Sequence, residues 1–330
     1  MSQPLRRFFG RFQNWIGILI LLNFIGMAVL SRYVPALYSL TGPGSSGQTL
    51  TLEEQHIKNE LDRKPLPPSS EHPLGTLVRQ MDILDGLVSG TRQALEFSLK
   101  AGLISAAIGL RVGAVSAYAG GWVNGLVLRI SDGMLAVPLI AMLVMIQQVK
   151  AVMFAGLSEG DLVFSSTPGG QTVMSEDLQR AISFDPLLWA IIAVNWVPYT
   201  RMINARILIL KEATYIQAAH AMGASPWRII WRHLLPNAIA PTLVLLARDL
   251  GWLVILQASL QYAGFGGGSV WGAQLLQGRD WIIGPGGNPF GYWWVWLPGT
   301  VVLILYGLAW NLIGDGLNEA LNPKPVAQYS

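Results

Sequence analysis

Histidine is the side chain best suited to proton transfer or metal binding near neutral pH, and this chain has four. His56, His72, His220 and His233 show no metal-ligand spacing, and we interpret His220 and His233 as surface or packing residues. The sequence has no HExxH or GxSxG motif, no Gly-Lys pair of the phosphate-binding type and no cysteine nucleophile. We therefore expect no catalytic residue, no metal site and no cofactor on this chain.

The composition is that of a membrane protein. Of 330 residues, 52% are hydrophobic and 12% are charged, whereas soluble domains have about 25% charged residues. The net charge of +3 is small, and no basic patch with interleaved aromatic residues predicts nucleic-acid binding. The sequence predicts an all-α polytopic membrane protein whose surroundings are the lipid bilayer.

Six apolar stretches are each long enough to cross about 30 Å of hydrocarbon as a helix. Basic residues precede the first stretch, so the positive-inside rule places the N-terminus in the cytoplasm, and six spans return the C-terminus there. Three tryptophans open the sixth stretch and predict an aromatic belt at the outer interface. The predicted limits of the spans are 15–33, 94–118, 126–149, 186–210, 241–262 and 292–313.

Polar segments divide the chain between these spans. An extracytoplasmic loop at 34–93 has prolines too dense for helix, and 264–290 is predicted to be loop because of its glycines and its Gly-Pro and Asn-Pro dipeptides. An acidic insertion at 150–185 has few positive charges and is placed outside. The predicted domains are an N-terminus with the first helix (1–33), the 34–93 loop, a core at 94–320 and a cytoplasmic tail at 321–330.

The segment from residue 211 to 237 reads KEATYIQAAHAMGASPWRIIWRHLLPN. Its alanine-rich half predicts a helix ending at Gly223, because glycine readily adopts the left-handed conformation of a C-terminal cap. Ser225 is an N-cap with Pro226 at the first helical position, so a second helix follows, and Pro236 ends it. The segment is basic, which places it in the cytoplasm. Such a helix-turn-helix between two spans predicts a docking site for a soluble partner.

This segment resembles the EAA loop of ABC-importer permeases. QAAHAMGA has the family's alanine pair and glycine at the family spacing, Gln217 replaces the family's glutamate, and LLPN closes the motif. The stretches HPLGT, RISDGMLAVP, ASLQYAGFG and GDGLNEALNPK also resemble the dipeptide/oligopeptide permeases, so the similarity covers nearly the whole chain. The resemblance implies the type I (MetI-like) importer fold with six transmembrane helices and both termini cytoplasmic.

The resemblance further implies a permease subunit of an ATP-driven importer in the bacterial inner membrane. Its implied partners are a homologous second permease subunit, two ATPase subunits or domains and an extracytoplasmic substrate-binding protein. The acidic 150–185 insertion departs from the family, whose connection here is much shorter, and we predict that it packs on the mouth of the path or contacts the binding protein. ATP and Mg²⁺ would bind to the ATPase subunits. The implied ATPase-coupling residues are Gln217, Ala218, Ala219, Gly223, Ala224, Ser225 and Pro226.

Polar residues inside the apolar stretches are candidates for the translocation path. Arg111 in the second span either faces water in the path or reaches the cytoplasmic interface by snorkelling. Asn195, near Pro198, is expected to break the fourth span, and Asp249 in the fifth span is a candidate partner of Arg111. Lys100 lies nearer the outer end of its span and is explained by snorkelling.

Peptides are the implied substrate, and two alternatives remain. Similar permeases import oligosaccharides or metal chelates with the same machinery. The alternative from another class is an ion-coupled secondary transporter, whose signature is internal repeats with paired broken helices. No such duplication is visible in the sequence.

Overall fold

The computed structural model of the chain describes residues 8–31, 64–78, 81–136, 138, 140–145, 185–266, 268–283, 288 and 290–321. Apart from one isolated bridge between Thr76 and Asp82, the regular structure of these residues is helical. The helices are α1 (Phe12–Leu30), α2 (Ile83–Ala119), α3 (Gly121–Ala136), α4 (Pro186–Lys211), α5 (Thr214–Ala221), α6 (Pro226–Ile229), a π-helical segment (Ile230–Leu234), α7 (Leu235–Ala238), α8 (Ala240–Tyr262), α9 (Val270–Ile283) and α10 (Trp293–Leu321).

Four of the described helices, α1, α2, α8 and α10, are long and apolar enough to cross a membrane. They correspond to the first, second, fifth and sixth predicted spans, and α4 matches the fourth within one residue. The third span, predicted at 126–149, is wrong in its limits because α3 begins at Gly121 and ends at Ala136. Residues 140–145 are helical again, and 146–149 lie outside the described residues.

The chain divides into two compact units, which are residues 1–102 with 236–330, and residues 103–235. In the first unit α10 packs along α1 and α8, and α9 packs on α8 and α10. Its core is aromatic, because the rings of Phe24, Trp271 and Tyr306 have centroids 5.3 to 6.0 Å apart. A Cβ added to Gly251 would lie 3.2 Å from the Cα of Gly307, so α8 and α10 approach closely at paired glycines.

Helices α1 and α10 run antiparallel in this unit. Arg11 Nε lies 2.7 Å from Glu319 Oε2, and a Cβ on Gly17 would lie 2.9 Å from the Cβ of Leu312. The start of α1 and the end of α10 therefore meet at the same end of the helix pair.

The second predicted span begins earlier in the structure than the sequence indicated. Helix α2 starts at Ile83, so the end of the predicted 34–93 loop is wrong. The Asp82 carboxylate explains the early start, because it accepts the Asp85 N–H at 3.1 Å and thereby satisfies a free donor of the first turn. His72 holds the same carboxylate, with its Nδ1 2.7 Å from Asp82 Oδ2. Residues 34–63 lie outside the described part of the chain.

The predicted loop at 264–290 contains helix α9, so that prediction is also wrong. Gly264, Gly266 and Gly268 have positive φ and bring the chain around before the helix. The helix itself is held by Trp271, which is buried and donates its indole N–H to the Leu87 carbonyl oxygen at 3.0 Å. Tertiary packing thus decided the structure of a stretch whose glycine content favoured a loop.

In the second unit the C-terminal part of α2 packs on α4 through small residues. A Cβ on Gly109 would lie 2.5 Å from Tyr199 Cβ, and one on Gly113 would lie 2.5 Å from the Thr200 carbonyl oxygen. The glycines of α2 therefore let the two helices approach closely. Helix α4 also continues through Pro198, so the predicted break there is wrong. Packing against a neighbouring helix is what allows a proline within a membrane helix.

The 150–185 insertion lies outside the described residues except for Asp185. Its carboxylate caps α4 by accepting the N–H groups of Leu187 and Leu188 at 3.0 and 3.2 Å. The tail at 321–330 lies outside as well, except for Leu321, the last residue of α10.

Candidate coupling site

The segment between α4 and α8 is the candidate site, which we call the coupling loop and define as residues 211–237. Its first helix, α5, turns Ile216 and Ala219 inward, where both are buried. Gln217 and Ala218 lie on the exposed face. The Gln217 side chain donates from Nε2 to the Glu212 carbonyl oxygen at 3.2 Å. This hydrogen bond holds the backbone that leads from α4 into α5.

Helix α5 ends in a Schellman turn at Gly223. The residue has a φ of +77°. The Gly223 N–H donates to the His220 carbonyl oxygen at 2.9 Å, and the Ala224 N–H donates to that of Ala219 at 3.1 Å. These are the two bonds that define the motif. The predicted left-handed cap is confirmed, and its two hydrogen bonds fix the backbone conformation of the turn.

The second helix starts as predicted, because Ser225 Oγ accepts the Arg228 N–H at 3.4 Å and Pro226 stands in the first turn. The predicted end at Pro236 is wrong. The chain continues as a π-helical segment and then as α7, which contains Pro236. In the π turn the Leu235 N–H donates to the Ile230 carbonyl oxygen, five residues back. This wider turn relieves the clash that a proline ring makes with the preceding turn of an α-helix.

The coupling loop is attached to the end of α2 by Tyr118. The Tyr118 ring stacks on the imidazole of His220, with centroids 6.0 Å apart and an interplanar angle of 12°. Lys211 Nζ donates to the Tyr118 carbonyl oxygen at 3.4 Å. The packing role predicted for His220 is confirmed, whereas sequence reasoning missed Tyr118. The only signal was an aromatic residue in the last turn before Gly120 and Gly121.

The outer surface of the loop is apolar around the turn. Met222 is 81% exposed and Trp227 is 63% exposed, and Trp227 packs on Trp231 with ring centroids 5.3 Å apart. Arg228 and Arg232 are exposed nearby in sequence. Large apolar side chains left in solvent around a rigid turn are typical of a protein-binding surface. The basic charge of this loop was predicted from the sequence, whereas its exposed apolar side chains were not.

The three candidate path residues occupy different helices. In the second unit, Arg111 is exposed on α2 at the edge of an apolar cleft of about 350 Å³ that includes Val115 and Val123, and Asn195 is half-buried in α4. In the first unit, Asp249 is half-buried in α8. Its pairing with Arg111 stays a prediction. Within the described residues, no group of three or more histidine, aspartate or glutamate side chains is placed to hold a metal ion.

Comparison with known proteins identifies the family. The profile of the "Binding-protein-dependent transport system inner membrane component" family matches residues 109–326. The chain is 30% identical over 270 residues to the glutathione transport system permease protein GsiD of Pectobacterium atrosepticum, covering 80% of this chain and 77% of that protein. It is 28% identical over 280 residues to the probable D,D-dipeptide transport system permease protein DdpC of Escherichia coli (83% and 82%).

A third relative covers still more of the chain. The dipeptide transport system permease protein DppC of Alkalihalophilus pseudofirmus is 29% identical over 312 residues, which is 94% of this chain and 85% of that protein. The resemblance inferred from the sequence motifs is confirmed. This chain belongs to the family of binding-protein-dependent transport system inner membrane components, and it is a multi-pass permease subunit of the inner membrane.

Proposed function

We propose that this chain is one of two homologous permease subunits of an ATP-driven importer of short peptides. The named relatives act in glutathione, dipeptide and D,D-dipeptide transport, which supports a substrate with a peptide backbone. An extracytoplasmic binding protein delivers the peptide, and two ATPase subunits bind ATP and Mg²⁺. This chain supplies half of the path and no catalytic group.

The proposed topology has six spans with both termini in the cytoplasm. Helices α1, α2, α8 and α10 supply four spans. The other two are α4 and the helical stretch that begins with α3 and resumes at residues 140–145. The ion pair of Arg11 with Glu319 supports placing the two termini on one side. We place Arg111, Asn195 and Asp249 along the path, and the 150–185 insertion at its outer mouth, where it packs or contacts the binding protein.

The observation that carries the proposal is the rigid, exposed turn of the coupling loop. In the proposed assembly, the turn from Ala219 to Ser225 sits in a groove of an ATPase subunit, with Met222 and Trp227 buried in the interface. The backbone of the Schellman turn resists deformation because its hydrogen bonds close it. Movement of the ATPase subunit is therefore transmitted to α5, and through His220 to Tyr118 at the end of α2.

Co-purification tests this proposal. Met222→Asp and Trp227→Ala each remove an apolar contact, so both variants should retain less ATPase subunit than the unmodified assembly and import peptide more slowly. Phe290→Ala is the matched control, because Phe290 is 72% exposed and lies outside the coupling loop. Full retention of the ATPase subunits by both loop variants would contradict the docking role. A complete assembly that imports no peptide would contradict the proposal that the substrate is a peptide.

A further inference from the structure

One face of α2 has three charged side chains in a row. Arg92 Nε lies 2.9 Å from Glu96 Oε1, and Lys100 Nζ lies 3.3 Å from Glu96 Oε2. The three residues are spaced four apart, so they follow one side of the helix, and each side chain is about half exposed. The opposite side of α2 faces the core of the unit through Thr91, Ala94, Ser98 and Ala101, all buried.

The depth of this row follows from contacts to two spanning helices. Ser98 Oγ lies 2.8 Å from the hydroxyl of Tyr306, near the middle of α10. A Cβ on Gly102 would lie 2.8 Å from Leu250 Cδ2, in the middle of α8. Lys100 lies between Ser98 and Gly102 in the sequence and is therefore level with the centre of both helices. Lys100 also lies in the middle of α2, whereas the sequence placed it nearer the outer end of its span.

Charged side chains at this depth are rare because hydrocarbon does not solvate them, and they face a protein interior or a water-filled cavity. The packed side of α2 is already occupied, so the charged side is available to water or to a ligand. We propose that Arg92, Glu96 and Lys100 line the translocation path and bind the charged ends of a short peptide. This inference rests on the proposed function, because it assigns the substrate chemistry of that path.

The order of charges suits a peptide with free termini. Glu96 can accept the peptide ammonium group, while Lys100 pairs with the carboxylate. Four residues of helix separate Glu96 from Lys100, which is about 6 Å along the axis and close to the length of a chain of about two residues, and the long side chains extend this reach. In the empty path Glu96 pairs with both cations, so binding exchanges one ion pair for another. Such exchange keeps the peptide bound weakly enough to leave.

Water accessibility gives the first test, since the chain has no cysteine of its own. In the reconstituted assembly, the Lys100→Cys variant should react with a charged methanethiosulfonate reagent at least about ten times faster than the Leu22→Cys variant. Leu22 is the matched control because it is exposed in the middle of α1 and uncharged. Equal rates would mean that lipid or the second permease subunit covers these three charged residues. Either result would overturn the inference.

Peptide selectivity gives the second test. Transport of trialanine is compared with that of its C-terminal amide, using the same binding protein throughout. Lys100→Met should reduce the preference for the free carboxylate about five-fold or more, and Glu96→Gln should not reduce it. Because the binding protein is constant, its own preference cancels when the two ratios are divided.

The outcomes separate this inference from the proposed function. If the unmodified assembly imports trialanine but the ratio is unchanged in Lys100→Met, the row does not bind the carboxylate and the inference falls. If the unmodified assembly imports no peptide, the proposed function itself fails. Lys100→Met could instead slow the transport of both peptides by the same factor. This result would also overturn the inference, because it indicates that Lys100 has only a structural role.

Discussion

His220 Nε2 lies 3.4 Å from the hydroxyl of Tyr118, and the two rings are stacked nearly parallel. This contact joins residues that are 102 positions apart in the chain. Through this contact α5 of the coupling loop meets the end of α2. A mechanical link of this kind has a function only if it transmits force, so removing it should separate ATPase binding from transport.

The first prediction concerns that link. His220→Ala should leave the ATPase subunits bound, because the His220 ring packs on Tyr118 of this chain and not on the ATPase subunit. The backbone of the turn at Gly223 is unchanged in this variant. Transport and substrate-stimulated hydrolysis should fall several-fold, since α5 then moves without α2. His220→Phe is the control, because it restores the stacking without the imidazole nitrogen. Normal coupling in His220→Ala would show that force passes elsewhere.

The second prediction concerns the turn at Gly223. A Cβ at this position would meet no atom within 4 Å in the described residues, so steric crowding within the chain is not the obstacle. The obstacle is the φ of +77°, which costs a β-branched residue on the order of 1 kcal/mol or more.

Gly223→Val should therefore leave the helices inserted but reduce co-purification of the ATPase subunits, substrate-stimulated hydrolysis and transport together. Ser225→Ala should do less, because it removes one cap worth about 1 kcal/mol while the turn persists. Retention of the ATPase subunits with normal hydrolysis in Gly223→Val would contradict the coupling role of this turn.

The third prediction tests the sidedness of the coupling loop. In this cysteine-free chain, Ser225→Cys should be protected from an impermeant thiol reagent in intact cells and labelled in inverted vesicles. Phe290→Cys should show the reverse pattern, because Phe290 is exposed in the segment between α9 and α10. Labelling of Ser225→Cys in intact cells would overturn the topology.

The fourth prediction concerns helix packing in the second unit. Gly109→Ala adds a methyl group where a Cβ would lie 2.5 Å from Tyr199 Cβ. Overpacking of this kind costs about 1–3 kcal/mol, so the unfolding temperature of the assembly in detergent should fall. Gly133→Ala is the matched control, because a Cβ there would meet nothing within 4 Å and alanine favours helix. Equal unfolding temperatures for the two variants would contradict the close packing of α2 on α4.

The fifth prediction concerns the 150–185 insertion. Deleting residues 159–183 should slow peptide uptake while the ATPase subunits remain bound, because the coupling loop is untouched. Uptake in whole cells and co-purification are the two measurements. Unchanged uptake would show that the insertion has no part in transport.

The sequence predicted those features that depend on local backbone chemistry. Gly223 and the Ser225 cap were found because each is set by the residue itself and its immediate neighbours. Helix α9 was missed because the packing of Trp271 against Leu87, 184 residues away, outweighed the local preference for a loop. The early start of α2 was missed for a related reason, since the cap is an aspartate that also pairs with His72.

Contacts between distant segments were the least predictable part of the site. The stacking of Tyr118 on His220 has no signal in the spacing of either residue. The depth of Lys100 likewise became visible only from the contacts of Ser98 and Gly102 with other helices. Motif resemblance located the candidate coupling loop, but it did not reveal which side chains connect that loop to α2.

The antiparallel pairing of α1 with α10 has a consequence for biosynthesis. Arg11 and Glu319 are about 300 residues apart, so a ribosome adding roughly 5–20 residues per second needs about 15–60 s between them. Throughout that time α1 is in the bilayer without the partner that Gly17 contacts through Leu312. Helix α10 therefore completes the packing of α1 only after it emerges from the translocon. Nascent chains that stop before α10 therefore lack the helix that packs along α1.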